Sequence, residues 1–209
     1  MGIVSPVGNT ISDAWDNLLN GKSGITRITR FDASALASQI AGEVKDFDIT
    51  QYMIVKEARR MDIFIHYGMA AAMQAVKDAG IEDVINSKID PDRIGVNIGS
   101  GIGGLPMIEK TDAVYHKKGP RKISPFFIPS TIINMIAGNL SIKYNFRGPN
   151  LAIVTACTTA THCIGNSARM IEYGDAELMI AGVAESCVTP LTVGGFASAK
   201  ALSTRNDDP

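Results

Sequence analysis

Cysteine and histidine are the side chains of this sequence best suited to nucleophilic or acid–base chemistry near neutral pH, and it has three of each. Cys157 lies between a short apolar run and a segment with helical periodicity. The free N–H groups and the dipole at the amino end of a helix favour a thiolate and can hold an oxyanion. Cys157 is therefore the candidate nucleophile for attack on a carbonyl. The alternative is a small cysteine packed in the core.

The histidines, His66, His116 and His162, are candidate bases. His162 follows Cys157 by five residues. Five residues of helix rotate by about 140° and rise by about 7.5 Å, so the two side chains should point apart. We therefore expect a structural role for His162. A cysteine hydrolase with its base among the three histidines stays open as a remote alternative.

Composition excludes several other classes. An odd number of cysteines without a CxxC pair or a histidine cluster argues against a disulfide framework and against a metal site. A formal net charge of -1 gives no global field for binding nucleic acid. No run of about 18 apolar residues is present, so we expect no membrane span and a cytoplasmic protein.

A glycine-rich run, Gly99-Ser100-Gly101-Ile102-Gly103-Gly104, matches the GxGxxG pattern of dinucleotide-binding loops. Such a site needs an acidic residue at the end of a second strand about 20 residues later. The corresponding segment, 121–127, contains no acid. The run is therefore interpreted as a tight turn that needs the backbone freedom of glycine, and no dinucleotide cofactor is expected.

Hydrophobic periodicity places these residues on an α/β framework. Residues 93–98 and 178–184 read as strands, residues 151–156 as a buried strand, and residues 159–173 as a helix. A strand, a helix and a second strand form a parallel crossover unit. The sequence therefore predicts helices that cover a mostly parallel sheet.

Capping signals predict the other helices. Thr10 begins a short helix that Gly21 ends, and residues 62–79 carry one apolar face that stops before a glycine. A further helix is expected to begin near Pro129 and to extend toward Tyr144. We find no linker or repeat and predict one domain.

Seven motifs are spread over the whole chain: Ser5-Pro6-Val7-Gly8-Asn9, the glycine-rich run, residues 119–127, Arg147-Gly148-Pro149, Thr155-Ala156-Cys157-Thr158, Gly195-Phe196 and residues 201–206. Taken in order, they resemble the amino-terminal half of elongating condensing enzymes, the β-ketoacyl-acyl-carrier-protein synthases of type II. Positions 160, 161 and 183 depart from the usual pattern of that family, with Ala, Thr and Val.

The resemblance implies a thiolase-like layered α/β/α/β/α fold, of which only the amino-terminal half is present. Its sheet would be mostly parallel, of the five-stranded type, and would lack its first strand. Residues 1–209 would form one condensing-enzyme domain that is incomplete at both ends relative to the family. We therefore expect the chain alone to be inactive or to fold poorly.

The implied activity is fatty-acid chain elongation by decarboxylative Claisen condensation, with the acyl group held as a thioester on Cys157. The family's two histidines, its lysine and a second oxyanion donor come from its carboxy-terminal half. No cofactor is expected, because phosphopantetheine arrives on the acyl carrier protein.

The resemblance also assigns binding residues and a homodimer, whose partner subunit would complete the acyl tunnel. The residues that would line the tunnel are Ile102, Phe127, Ile128 and Phe196. The basic residues that would contact the acidic carrier protein are Lys56, Arg59, Arg60, Arg121, Lys122 and Lys200.

Three related alternatives stay open: a non-catalytic partner subunit of the chain-length-factor kind, a truncated fragment, and a thiolase or initiating enzyme that uses coenzyme A. The presence of Cys157 argues against a non-catalytic subunit, which lacks the nucleophile. Enzymes that use coenzyme A lack the motif at residues 123–127, so its presence argues against that alternative.

Overall fold

The computed structural model describes residues 1–82 and 89–209, which divide into two compact units. The first unit comprises Met1–Gly2 and Ile49–Ser186, and the second comprises Ile3–Asp48 and Cys187–Pro209. The helices in chain order are α1 (Ile11–Leu19), α2 (Val55–Ala58), α3 (Ile63–Asp78), α4 (Leu105–Lys118), α5 (Phe127–Thr131), α6 (Met135–Tyr144), α7 (Thr159–Glu172) and α8 (Pro190–Ser198). The strands are β1 (Ile25–Arg27), β2 (Ile40–Gly42), β3 (Ile94–Gly99), β4 (Asn150–Leu151) and β5 (Leu178–Val183).

A parallel sheet with strand order β4-β3-β5 forms the centre of the first unit. All six residues of β3 are buried, and β3 pairs with β5 from Ile94 opposite Leu178 to Gly99 opposite Val183. The predicted parallel sheet and the α7 crossover between β4 and β5 are confirmed. The sheet has three strands in the residues described, fewer than the five-stranded type implies. The strands β1 and β2 pair with each other in antiparallel fashion and do not extend it.

One face of β3 carries the main core. Successive side chains of a strand point to opposite faces, so Ile94, Val96 and Ile98 share one face. They belong to a buried cluster with residues of α3 and α6, including Phe64 and Ile136. The apolar periodicity of α3 follows from this position, since the helix covers the sheet on this side.

The opposite face of β3 carries small or polar residues and lies against α7. A Cβ atom on Gly99 would lie 2.0 Å from the carbonyl oxygen of Ile153 and 2.7 Å from Cγ2 of Thr159. Only glycine therefore allows the start of α7 to approach the sheet so closely. On the same face the buried Asn97 donates from Nδ2 to the carbonyl oxygen of Cys163 at 3.1 Å and to Oγ of Ser167 at 3.2 Å.

The second unit contains α1, β1, β2 and α8. Thr10 caps α1 by accepting a hydrogen bond from the Asp13 N–H group, and Gly21 has a φ of 63°, as the predicted helix start and left-handed end require. The carboxy-terminal segment of the second unit is bound to the residue before β2, because the side chain of Asn206 accepts a hydrogen bond from the Gln39 N–H group at 2.8 Å. Within the described residues, no helix has the length and apolar character needed to cross a membrane.

Two predicted elements are wrong in extent. The helix predicted from Pro129 to Tyr144 is divided into α5 and α6, because Ile132 is extended, with φ -76° and ψ 141°. The break leaves the Thr131 carbonyl free to accept a hydrogen bond from Gly104 at 3.1 Å. The strand predicted over residues 151–156 is assigned only at β4, and residues 152–155 continue outside the ladder.

Asp62 connects α3 to α4 within the first unit. Its carboxylate caps α3 by accepting from the Phe64 N–H group at 3.2 Å and also accepts from the Met107 N–H group at 2.7 Å. The side chain is buried, and burial raises the pKa of this carboxyl group above its usual value. The two hydrogen bonds therefore offset a real desolvation cost.

Replacement of Asp62 by alanine should lower the free energy of unfolding by roughly 2–3 kcal/mol, because the cap is lost and the Met107 N–H group loses its acceptor. Asp62→Ser should recover about half of this loss, since serine can cap α3 but is too short to reach α4. Denaturant unfolding of the three proteins measures both effects. Equal losses for the two variants would show that the cap contributes nothing beyond the contact with α4, and full recovery by serine would show the reverse.

Candidate active site

Cys157 lies where the chain leaves the sheet and enters α7. Residues 152–155 follow β4, a single 3-10 turn covers Ala156–Thr158, and α7 begins at the next residue. The Cys157 side chain is exposed. The sequence analysis predicted this location, and the thiol is accessible to a substrate there.

The turn that carries Cys157 has an unusual backbone. Ala156 adopts a left-handed conformation with φ 52°. Residues other than glycine rarely adopt this conformation, because the Cβ atom comes too close to the backbone. Its carbonyl oxygen accepts a hydrogen bond from Oγ1 of Thr159 at 2.7 Å, and the same hydroxyl accepts from the Thr155 N–H group at 3.0 Å. The hydroxyl of Thr159 thus closes the turn from both sides and fixes how Cys157 is presented.

The other cysteines and the adjacent histidine occupy different environments. Cys163 is fully buried, and burial raises the pKa of its thiol, which keeps it protonated and unreactive. Cys187 is half-buried in the second unit. Nδ1 of His162 lies 2.7 Å from Oγ1 of Thr155, so His162 contacts the segment that leads to the nucleophile.

The glycine-rich run forms a turn between β3 and α4, in which Gly103 has a φ of 81°. Its polar groups converge on the carboxylate of Glu185. This carboxylate accepts from the Ile102 N–H group at 2.7 Å, from Oγ of Ser100 at 3.0 Å and from the Gly103 N–H group at 3.3 Å. An internal carboxylate therefore occupies the N–H groups that would hold a phosphate in a dinucleotide-binding loop.

The segments that follow the carboxyl ends of the three parallel strands lie at the same edge of the sheet. Cys157 follows β4, the glycine-rich run follows β3, and Glu185 follows β5. A Cβ atom built on Gly101 would lie 3.1 Å from Oε2 of Glu185 and 3.3 Å from the carbonyl oxygen of Ala156. Binding sites of parallel sheets form at this edge. Sequence reasoning missed Glu185, although an acid directly after a predicted strand was the available signal.

The predicted tunnel residues belong to both units. Ile102 and Ile128 are exposed to 42% and 59%, and Phe127 is half-buried at the start of α5. Phe196 lies in α8 of the second unit, where it lines an apolar cleft of about 380 Å³. The large exposed apolar side chains are suited to contact an acyl chain or another subunit. Their assignment to an acyl tunnel stays a prediction.

Three of the predicted carrier-binding residues line one cleft of about 210 Å³ in the first unit: Arg59, Arg60 and Lys122. Lys110 of α4, which sequence reasoning missed, lines the same cleft. The Arg60 guanidinium lies 4.1 Å from the centre of the Phe126 ring. Of the remaining predicted residues, Lys56 lies in α2, Arg121 is exposed in the turn Pro120–Lys122, and Lys200 belongs to the second unit.

Solved structures with the same arrangement define the class of fold. A β-ketoacyl synthase from Burkholderia phymatum superposes with a TM-score of 0.85 at 24% identity, over 100% of this chain and 50% of that one. A type II polyketide ketosynthase, solved in complex with its acyl carrier protein, superposes with a TM-score of 0.76 at 24% identity, over 95% of this chain and 52% of that one. The fold is the thiolase-like α/β fold that the sequence analysis expected.

The chain belongs to the β-ketoacyl synthase family and matches its amino-terminal domain over residues 1–209. It is 58% identical to the 3-oxoacyl-[acyl-carrier-protein] synthase 2 of Vibrio harveyi, over 100% of this chain and 50% of that protein. The chain thus spans about half the length of the curated relatives it matches. The expected family is confirmed.

The left-handed backbone at Ala156 can be tested by substitution with glycine. Ala156→Gly should raise the free energy of unfolding by about 0.5–1 kcal/mol, because glycine adopts positive φ without steric cost. The matched control is Ala160→Gly in the first turn of α7, which should lower it by up to about 1 kcal/mol. Urea unfolding of both variants checks the signs. Destabilisation by both changes would contradict a strained backbone at residue 156.

Proposed function

We propose that this chain is the nucleophile-bearing half of an elongating 3-oxoacyl-acyl-carrier-protein synthase, in which Cys157 carries the growing acyl group. The observation that supports the proposal most directly is the exposed thiol of Cys157 in a turn that leads into the amino end of α7. Identity of 58% over the whole chain to a synthase of this type adds to it. None of the cysteines among the described residues forms a disulfide, which suits the proposed cytoplasmic location.

In the first step, the Cys157 thiolate attacks the carbonyl carbon of an acyl thioester on the carrier protein. A new carbon–sulfur bond forms, the tetrahedral oxyanion collapses, and the carrier's phosphopantetheine leaves as its thiolate. The N–H groups of Thr158 and Thr159 already donate to the carbonyls of Thr155 and Ala156. Those that follow in the first turn of α7 are the ones proposed to hold the oxyanion, because the first N–H groups of a helix lack an acceptor within the helix. The product is an acyl group bound to Cys157.

In the second step, malonyl carrier protein loses carbon dioxide, and the electron pair of the broken carbon–carbon bond forms a carbanion at the adjacent carbon. The carbanion attacks the acyl carbonyl, a carbon–carbon bond forms, and Cys157 leaves as a thiolate. The histidines and the lysine that serve this step in the family lie in its carboxy-terminal half. We therefore assign none of the second step to His66, His116 or His162.

An acidic acyl carrier protein is the proposed partner. The cleft lined by Arg59, Arg60, Lys110 and Lys122 offers converging positive charge, which would attract and orient an acidic surface. A ketosynthase of the same fold was solved in complex with its acyl carrier protein. No cofactor of the chain itself is proposed, because the carrier delivers phosphopantetheine.

We further propose that the protein acts as a homodimer on fatty acyl thioesters. The exposed apolar side chains of Ile102, Ile128 and Val154 are in accord with this, since a second subunit or an acyl chain that covers them would remove apolar surface from water. An acyl chain that contacts Ile102 and Ile128 would be shielded from water by a second subunit. Phe127 and Phe196 are the other proposed tunnel residues.

Incubation of the full native protein with acyl carrier protein loaded with a medium-length acyl chain should give an acyl adduct on Cys157, located by peptide mass spectrometry. Cys157→Ala should abolish the adduct, whereas Cys163→Ala should retain it, because Cys163 is buried and its thiol stays protonated. An adduct formed only from acyl-coenzyme A would favour a thiolase-like enzyme. A wild-type protein that forms no adduct would refute the proposed function.

Lys122→Glu should weaken binding of the carrier protein about tenfold at low salt, because it reverses one charge in the basic cleft. Lys45→Glu is the matched control: Lys45 is exposed in the second unit, and the variant has the same net charge. Titration at two salt concentrations measures both. If the two variants bind the carrier equally well, the basic cleft is not the carrier site.

A further inference from the structure

We propose that Glu185 is a positioning residue for the candidate nucleophile Cys157 and for Ile102. In this proposal Glu185 acts as an internal anion that holds the glycine-rich run, so that the run supports the backbone at Ala156. The catalytic part of the inference rests on the proposed function, whereas its structural part concerns this chain alone.

Hydrogen bonds from three residues of the turn, Ser100, Ile102 and Gly103, connect it to Glu185. Oε2 accepts from the Ile102 N–H group at 2.7 Å, and Oε1 accepts from Oγ of Ser100 at 3.0 Å and from the Gly103 N–H group at 3.3 Å. The Gly103 N–H group also donates to Oγ of Ser100 at 3.1 Å. Both carboxylate oxygens are used, and bonds to an ionised acceptor are stronger than those to a neutral one.

The held turn lies against the backbone that precedes Cys157. Gly101 is so close to Glu185 and to the Ala156 carbonyl that an added Cβ atom would be 3.1 Å and 3.3 Å from their oxygens. Ala156 has a φ of 52° and returns to ordinary conformations unless its surroundings prevent it. The turn provides that restraint on one side, and the Thr159 hydroxyl provides a second restraint by its hydrogen bond to the same carbonyl.

Ile102 is positioned by the same carboxylate. Its N–H group makes the shortest of the three bonds described above, and its side chain is 42% exposed next to Gly101, which lies close to the Ala156 carbonyl. Loss of that bond frees the backbone of a residue that the proposed function places along the acyl chain. Glu185 therefore influences both the presentation of the sulfur and the shape of the surface beside it.

A carboxylate suits this position because the three groups of the turn that bond to it, the Ile102 and Gly103 N–H groups and the Ser100 hydroxyl, are all donors. Glutamine at position 185 would present its NH₂ group to an N–H or O–H donor, so at least one of these hydrogen bonds would be lost. Alanine would remove the carboxylate that accepts from the Ile102 N–H group and the Ser100 hydroxyl, while these donors would stay in place. Small carboxylates in solution could then take the empty position, which gives a test specific to the role of an anion.

The experiment uses the full native protein with Glu185→Ala and, as matched control, Glu177→Ala. Glu177 directly precedes β5 and forms a surface ion pair of 3.5 Å with Arg93, so the control removes the same charge at the other end of the strand. The first measurement is the rate at which iodoacetamide labels Cys157, followed by peptide mass spectrometry. We expect Glu185→Ala to label roughly tenfold more slowly and Glu177→Ala to label at the wild-type rate.

Sodium acetate should restore labelling of Glu185→Ala in a saturable manner, and sodium chloride at equal ionic strength should not. A loss of general stability would not respond to acetate, so rescue separates positioning from folding. An unchanged labelling rate in Glu185→Ala, or a loss that acetate does not restore, would overturn the inference.

The second measurement is the acyl chain-length profile of adducts on Cys157. Glu185→Ala should broaden this profile, because Ile102 is no longer held, and an unchanged profile would overturn the role assigned to Ile102. A wild-type protein without any acyl adduct would refute the proposed function, while the labelling and acetate results would still decide the positioning role.

Discussion

The close approach of α7 to β3 is the constraint on which the site depends. Gly99 has no side chain between the strand and the helix, so Thr159 can lie directly against the sheet. From that position the Thr159 hydroxyl closes the turn that carries Cys157. A larger residue at position 99 would displace the start of α7 and, with it, the turn. The exposed thiol of Cys157 is thus placed by a packing distance in the interior of the first unit.

The three parallel strands explain why residues far apart in sequence lie close together. Each strand ends at the same edge of the sheet, and each is followed by one part of the site: the Cys157 turn, the glycine-rich run or Glu185. The short β4 still fixes the start of the cysteine segment, because its two residues pair with the middle of β3. A parallel sheet can bring these parts together without any direct connection between them.

The sequence predicted the parts of this structure that depend on local patterns. Buried apolar runs identified β3 and β5, and capping residues identified α1 and α3, because such signals need no knowledge of distant residues. The break after α5 was missed, since it depends on a carbonyl group that accepts from Gly104 across the fold. The location of Cys157 was predicted because its flanking strand and helix are contiguous with it in sequence, whereas its assignment as nucleophile rests on the family resemblance. Glu185 was missed because its partners lie more than 80 positions earlier in the chain.

The buried amide of Asn97 has a consequence for the helix above it. Its Nδ2 atom bonds both the carbonyl of Cys163 and the hydroxyl of Ser167, one turn of α7 apart. A shift of α7 along its axis by one residue would take both acceptors away from a donor that has no water to replace them. Asn97 thus fixes the position of α7 along its own axis. Because Cys157 directly precedes α7, the same two hydrogen bonds help to set how far its sulfur lies from the sheet.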